Sequence, residues 1–142
     1  MSEPQRVLIV EDDPRQAEYI AEEIIWRRYP ETEVRYFDSE YSLMETINSK
    51  SLGNWVPEYA LIDLLIRYYS PDDLAEMGSA PDVDKLPNPE EAGVRCRAAI
   101  LQAFPGTKAA IVTVLSTRPE HCFVIQKGNE SLEEELIAFL TH

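Results

Sequence analysis

The sequence predicts an α/β fold in which helices cover both faces of a mostly parallel, doubly wound sheet. Short continuous apolar runs recur along the chain, at 7–10, 60–62, 109–115 and 123–125. Continuous apolar runs, unlike alternating ones, are typical of strands that are covered on both faces. Residues 34–37 alternate in part and predict an edge strand. Helical patterns lie between these runs, and strands that alternate with helices favour a doubly wound sheet.

Start signals and apolar spacing predict the helices. Asp13 can cap a helix whose first residue is Pro14, since proline suits the first helical position. The pattern Ser131-x-x-Glu134 predicts a capping box at the start of the last helix. Further helices are predicted over 39–48 and 89–104.

Length and charge limit the function classes. The chain has 142 residues, of which 44% are apolar, enough for one domain over 1–142. Its 13 Lys and Arg against 26 Asp and Glu give a net charge of −13. Such a charge repels nucleic-acid phosphates, so the sequence argues against direct nucleic-acid binding. It suits a cation site or a basic partner.

Cysteine usage and hydropathy predict a cytoplasmic protein. Cys96 and Cys122 form no CxxC pattern, so a disulfide-built secreted domain is excluded. The polar start, 1–6, has no apolar signal core. The longest apolar stretch, 59–66, is interrupted by Asp63 and is too short to span a bilayer, so no membrane insertion is expected.

Acidic residues follow two of the predicted strands. Glu11, Asp12 and Asp13 come directly after the first apolar run, and Asp63 follows the run at 60–62. Carboxyl ends of neighbouring parallel strands meet at one edge of a sheet, where ligands bind. Carboxylates brought together there repel one another unless a cation is present, and hard oxygen ligands suit Mg²⁺. Asp63, inside an apolar run, would be costly to bury without a partner or a metal.

A hydroxyl and an ammonium complete a possible reactive site. Ser116 ends the fourth apolar run and Lys127 follows the fifth, although both also fit ordinary strand ends. Thr113 and Thr117 are the alternatives to Ser116 if the strand register differs. A carboxylate nucleophile, a metal, a hydroxyl and an ammonium are the groups that phosphoryl transfer uses.

The motifs resemble those of a known family. Residues 7–14, Val-Leu-Ile-Val-Glu-Asp-Asp-Pro, look like the opening of receiver domains of two-component response regulators. Residues 60–64, Ala-Leu-Ile-Asp-Leu, resemble the strand that carries their phosphoacceptor aspartate, and 91–94 resemble the start of their third helix. Residues 112–117 and 123–127 are similar to their last two strands. The resemblance implies a flavodoxin-like sheet of five strands in the order 2-1-3-4-5.

The resemblance also implies roles for individual residues. Glu11 and Asp12 would be the metal-binding pair, with Asp12 the direct ligand. Asp63 would accept a phosphoryl group from a histidine kinase, a phosphotransfer protein or a small phosphodonor, and would itself contact Mg²⁺. The backbone carbonyl of Leu65 would complete the metal shell.

The remaining implied roles concern the phosphoryl group and the output. Ser116 would donate a hydrogen bond to the phosphoryl group, and Lys127 would pair with its charge. Phosphorylation would regulate binding to a downstream protein that the sequence does not identify. The chain would be no enzyme beyond catalysing its own phosphorylation and dephosphorylation.

Two departures from the family pattern have structural consequences. An insertion at about 65–90, rich in proline and acids, could be a lid, a partner-binding arm or a mobile solvated loop. Within it, 70–73 could open a short helix through Met77. Only 117–122 separate the last two predicted strands, so the helix between strands 4 and 5 is expected to be absent. The last strand would then return through an extended segment, or run antiparallel and carry Lys127 away from the site.

Two other functions compete with the receiver hypothesis. A pseudo-receiver would keep the fold and act as a protein-interaction module without phosphorylation. A small hydrolase of the phosphatase type would use Asp63 on a similar sheet. Such enzymes generally carry a second acid two residues after the nucleophile, and Leu65 stands there.

Overall fold

A single parallel sheet organises the protein. The computed structural model describes residues 3–78, 82–114, 119, 122–128 and 130–141. The sheet order is β2-β1-β3-β4-β5, and every neighbouring pair is parallel. The predicted doubly wound sheet is therefore confirmed, and the antiparallel alternative for the last strand is wrong. The strands are β1 (Arg6–Val10), β2 (Glu33–Phe37), β3 (Tyr59–Asp63), β4 (Lys108–Thr113) and β5 (Phe123–Gln126).

Five helical segments of the described residues surround the sheet. Helix α1 begins with α spacing (Pro14–Glu18), continues with π spacing (Tyr19–Ile25) and ends in an α turn (Trp26–Arg28). The others are α2 (Glu40–Asn48), α3 (Pro71–Met77), α4 (Ala92–Ala103) and α5 (Leu132–Leu140). Short 3₁₀ turns occupy Val83–Lys85 and Pro89–Glu91.

Capping follows the sequence signals at most helix starts. The Asp13 carboxylate accepts a hydrogen bond from the Arg15 N–H at 3.0 Å, as predicted for α1. Ser39 caps α2 by accepting from the Ser42 N–H at 3.1 Å. The capping box predicted at Ser131 is wrong, because its backbone has φ −88° and ψ 4° and its side chain makes no cap bond. The backbone of a capping residue is typically extended, which lets its side chain reach the helix amides.

The core forms two layers, one on each face of the sheet. Successive residues of β1 point to opposite faces, so Val7 and Ile9 join one layer while Leu8 and Val10 join the other. Helices α1 and α5 cover the first layer, and α2 and α4 cover the second. The continuous apolar runs of the sequence are explained by this burial on both faces.

The first half of the insertion is folded. Ser70 and Asp73 form a capping box at the start of α3, which ends at Gly78 in the left-handed region (φ 67°). The short helix predicted from 70–73 through Met77 is confirmed. Within residues 64–78, Arg67 and Asp73 form hydrogen bonds with the segment at the start of α2. The first half of the insertion is therefore not a mobile solvated loop.

The connection between the last two strands is longer than predicted. Strand β4 ends at Thr113 and β5 begins at Phe123, so the connection spans 114–122. Most of these residues, including Ser116 and Thr117, lie outside the described residues. The expected absence of a helix there falls on the same undescribed part.

Among the described residues, none of the helices has both the length and the apolar character that a bilayer span needs.

Candidate functional site

The ends of β1 and β3 bring three carboxylates together. Val10 pairs with Ile62 in the parallel register, so the acids that follow β1 and the last residue of β3, Asp63, emerge at the same edge. Glu11, Asp12 and Asp63 each present a carboxylate oxygen, and these oxygens all lie within 4.8 Å of one another. The juxtaposition expected from the sequence is present.

Lys127 joins the cluster from the end of β5, the edge strand that lies beyond β4. Because β5 is parallel to β4 and Thr113 pairs with Gln126, the next residue emerges at the same edge. The Lys127 ammonium donates to the Glu11 carboxylate and lies 3.1 Å from Asp63 Oδ2. Its side chain is only 8% exposed. A buried ammonium therefore bridges the two carboxylates.

Burial and charge shift the protonation equilibria of this cluster. Burial raises the pKa of Glu11 to about 7, with a hydrogen bond and the charge of Asp63 adding to the rise and Lys127 opposing it. Burial alone would lower the pKa of Lys127, but its bonds to Glu11 and Asp63 outweigh that effect and raise it. The lysine is consequently held in its charged form.

The donor set fits a hard divalent cation. The site holds three carboxylates and one ammonium. When all three carboxylates are ionised, the partly buried site carries excess negative charge. Clustered oxygen ligands with room for water and substrate oxygens are the environment in which Mg²⁺ binds. Thiol or imidazole groups are not part of this cluster, which disfavours softer metals.

Asp12 is held by a residue that the sequence did not single out. Its Oδ2 accepts a hydrogen bond from the main-chain N–H of Arg67 at 3.1 Å. A carboxylate has a second oxygen, so this bond leaves Oδ1 to offer a cation. Arg67 lies in the insertion, four residues after Asp63, and follows no metal-ligand pattern in the sequence.

Two predicted site residues stay predictions. Ser116 lies outside the described residues. Leu65 follows β3 on the loop beside the site and is an exposed residue, while its expected ligand atom is the backbone carbonyl. Thr113, an alternative hydroxyl, is buried at the end of β4, one residue beyond the partner of Asp63. Strand β4 lies between β3 and β5, so this end is between Asp63 and Lys127.

Close packing fixes the loop that follows Asp63. The Gly93 N–H, in the first turn of α4, donates to the Leu64 carbonyl at 2.9 Å. A Cβ atom at Gly93 would lie 2.6 Å from the Leu64 Cα. Only glycine permits the helix start to approach this backbone so closely.

Polar side chains fasten the insertion to α2 and α4. The buried Glu40 carboxylate pairs with Arg95 through two bonds of 2.7 and 2.8 Å, and Arg95 also donates to the Asn88 carbonyl at 2.8 Å. The Asp73 carboxylate of α3 binds the hydroxyls of Ser39 and Ser42. These long-range pairs had no signal in the sequence.

Comparisons with known proteins identify the fold. No family model and no curated protein matches the chain. Among solved structures, the bacteriophytochrome response regulator AtBRR has a TM-score of 0.55 at 17% identity, with 99% of this chain and 94% of that chain covered. The response regulator domain of Thermotoga maritima CheB has a TM-score of 0.58 at 14% identity, with 97% and 94% covered.

A third similar structure belongs to a longer protein. RcsB from Salmonella enterica serovar Typhimurium, solved bound to a promoter with phosphomimetic BeF₃⁻, has a TM-score of 0.60 at 14% identity. The alignment covers 97% of this chain and 61% of that chain. Together these similarities show that the chain has the flavodoxin-like fold of response regulator receiver domains.

Proposed function

We propose that this protein is a signalling receiver that accepts a phosphoryl group on Asp63 with the help of Mg²⁺. The observation that carries the proposal is the meeting of Asp63, Glu11, Asp12 and Lys127 at the carboxyl edge of the sheet. In open α/β sheets this edge is where ligands bind. The receiver fold supports the same function by analogy.

The proposed metal site uses the three carboxylates. Glu11, Asp12 and Asp63 would hold Mg²⁺, and the carbonyl of Leu65 is the fourth protein ligand that we propose. When bound, the cation supplies positive charge that offsets the carboxylates and the oxygens of an incoming phosphoryl group. The residues themselves then have to orient the nucleophile and neutralise the remaining charge.

Asp63 would act as the nucleophile. One carboxylate oxygen attacks the phosphorus of the donor, a P–O bond to Asp63 forms, and the bond to the leaving group breaks with its electron pair. The leaving group is the imidazole of a phosphohistidine or the acetate of acetyl phosphate. Lys127, already 3.1 Å from Asp63 Oδ2, would pair with the charge of the transferred group. A hydroxyl from Ser116 or Thr113 would donate to a phosphoryl oxygen.

A mass measurement tests this proposal. Incubation with acetyl phosphate and Mg²⁺ is expected to add one base-labile phosphoryl group to the wild type and none to Asp63→Asn. The matched control is Asp72→Asn, which changes an exposed aspartate in α3 and is expected to label like the wild type. No label on the wild type with any donor, or equal label on Asp63→Asn, would overturn the proposal.

The proposed partners follow from the chemistry. The phosphodonor would be a histidine kinase or a phosphotransfer protein, and the phosphorylated form would regulate binding to a downstream protein. We place this activity in the cytoplasm and assign the chain no catalysis beyond its own phosphorylation and dephosphorylation. The net charge of −13 argues against direct contact with nucleic acid.

One observation favours a second candidate, the phosphorylation-independent pseudo-receiver. The Lys127 ammonium already bridges Glu11 and Asp63, so a counterion is present without any metal. Calorimetric titration with Mg²⁺ separates the two functions. Saturable binding that is lost in Asp12→Ala supports the phosphorylated receiver, whereas no binding to the wild type supports the interaction module.

A further inference from the structure

A main-chain hydrogen bond joins the insertion to Asp12 of the candidate metal site. The main-chain N–H of Arg67 donates to Asp12 Oδ2 at 3.1 Å. Asp12 stands outside β1, on the loop to α1, and its carboxylate is part of the oxygen cluster with Glu11 and Asp63. The orientation of this carboxylate therefore depends on where the peptide of Arg67 is held.

The side chain and the backbone carbonyl of Arg67 both form hydrogen bonds with residues at the start of α2. Its guanidinium donates to the Asp38 carbonyl at 3.1 Å and to the Asp38 carboxylate at 3.2 Å. Its own carbonyl accepts from the Glu40 N–H at 3.0 Å, and the next carbonyl, of Tyr68, accepts from the Tyr41 N–H at 2.9 Å. The first amides of α2 are satisfied by the insertion, which locks the two segments in one register.

A buried carboxylate secures the distal part of the same segment. Asp73 is 7% exposed. Its Oδ2 accepts from the Ser39 hydroxyl at 2.6 Å and from the Ser70 N–H at 2.8 Å, and its Oδ1 accepts from the Ser42 hydroxyl at 2.9 Å. Through these bonds α3 is docked on the first turn of α2. Charge-assisted bonds of this kind are among the stronger contacts that a short helix can make.

We propose that residues 64–78 position Asp12 for its cation through the N–H of Arg67, with Asp73 as the distal anchor. The inference rests on the proposed function, because it assigns a role toward the cation of that site. Partners of metal-ligating groups fix ligand orientation, and their loss lowers metal affinity. Arg67 and Asp73 are positioning residues, since neither contributes a side chain to the oxygen cluster.

Metal affinity of anchor variants tests the proposal. Asp73→Ala is expected to raise the Kd for Mg²⁺ by about 3- to 10-fold, less than the loss of a direct partner of a ligand. Glu76→Ala is the matched control, because it removes the same charge from an exposed position of α3 and should leave the Kd unchanged. Asp73→Asn should restore most of the affinity, since its amide oxygen can accept from Ser39 and Ser70.

A readout without metal separates this inference from the function on which it rests. In the metal-free protein, hydrogen exchange at the Arg67 amide should be slow in the wild type. It should become several-fold faster in Asp12→Ala, which removes the acceptor, and in Asp73→Ala, which releases the anchor. If the wild type binds no Mg²⁺, the proposed function fails, while this exchange pattern still tests the positioning.

The proposal can also fail alone. A folded Asp73→Ala protein with unchanged Mg²⁺ Kd and unchanged exchange at the Arg67 amide would overturn it. If Asp73→Ala does not fold, Ser42→Ala replaces it, since that variant removes only the bond to Asp73 Oδ1. An affinity loss in Ser42→Ala supports the positioning role, and wild-type affinity with wild-type exchange contradicts it.

Discussion

The Lys127 ammonium lies 3.1 Å from the Asp63 carboxylate, although 64 residues separate them in the chain. This contact requires β5 to run parallel to β4 and to end at the same edge as β3. It gives the nucleophile of the proposed reaction a fixed positive neighbour. The same ammonium contacts Glu11, so one side chain joins the ends of three strands.

Removal of the Lys127 charge should destabilise the metal-free protein. Lys127→Met leaves the Glu11 and Asp63 carboxylates facing each other without their counterion, and losing one partner of a buried ion pair costs about 3 kcal/mol. Urea unfolding in EDTA measures this loss. Lys85→Met, at a lysine that is 83% exposed, should stay within about 0.5 kcal/mol of the wild type. Equal stability of the two variants would contradict the buried bridge.

Enlargement of Gly93 should disturb the loop that carries Asp63. In Gly93→Ala the new Cβ meets the backbone of Leu64, which cannot move aside as a flexible side chain can. We expect a loss of about 2 to 3 kcal/mol in the free energy of unfolding and weaker Mg²⁺ binding. Gly106→Ala is the control, since nothing lies within 4 Å of a Cβ there. Comparable stability of both alanine variants would argue against the tight approach of α4.

The docking of α3 should be sensitive to acid through Asp73. Burial alone would raise the pKa of Asp73, but hydrogen bonds from Ser39, Ser70 and Ser42 outweigh it and hold the pKa below its usual value of 3.8. A carboxyl group whose pKa is lowered by folding stabilises the folded protein at pH values above its pKa in the unfolded chain. This stabilisation is lost as the pH falls through the pKa of the folded state.

The comparison of wild type with Asp73→Asn isolates this effect. At pH 7 the wild type should be more stable by about 1.5 to 3 kcal/mol, which is typical of hydrogen bonds to a charged group. Chemical unfolding at pH 7, 4 and 3 should show the difference shrinking as the pH falls. A difference that is constant over this range would show that the ionised carboxylate does not hold the helix.

The ion pair between Glu40 and Arg95 should protect the second half of the insertion. Arg95→Ala leaves the Glu40 carboxylate, 3% exposed, without its partner and releases the Asn88 carbonyl. We expect a loss of about 2 to 3 kcal/mol and faster tryptic cleavage after the exposed Lys85. Arg27→Ala, at a helical arginine that is 70% exposed, should be cleaved at the wild-type rate. Unchanged cleavage of Arg95→Ala would indicate that this pair does not order the segment.

The sheet and its acidic edge could be predicted because local patterns determine them. Apolar runs of 7–10 and 60–62 identify strands buried on both faces, and residues that directly follow parallel strands must share an edge. These two facts place Asp63 at the same edge as Glu11 and Asp12, and they become neighbours because β1 and β3 are adjacent. The order of the strands needed the family resemblance, since periodicity does not specify which strands are neighbours.

The direction of β5, and with it the position of Lys127, was harder to predict because the sequence pattern placed the end of β4 too late in the chain. The apolar run continues to Leu115, but the strand ends at Thr113, so the connection gains residues and spans 114–122. A connection of that length reaches roughly 30 Å, while the four residues of β5 span only about 13 Å. The chain can therefore return to the start of a parallel strand.

The contacts of the insertion could not be predicted for a different reason. Arg67 is 55 residues from Asp12, and Asp73 is 34 residues from Ser39. Pairs of this kind form between segments that are distant in the chain, and no sequence periodicity fixes how such segments are aligned. The sequence of 70–73 predicts only the local helix start, which is the part that was correct.

Peptide mapping of the phosphorylated residue tests whether Asp63 is the phosphoacceptor. Borohydride reduces an aspartyl phosphate to homoserine, so peptide mapping after acetyl phosphate treatment identifies the phosphorylated side chain. We expect homoserine at position 63, formed with Mg²⁺ and abolished by EDTA. Homoserine at another acidic residue, its formation to the same extent in EDTA, or its absence throughout would show that Asp63 is not a Mg²⁺-dependent phosphoacceptor.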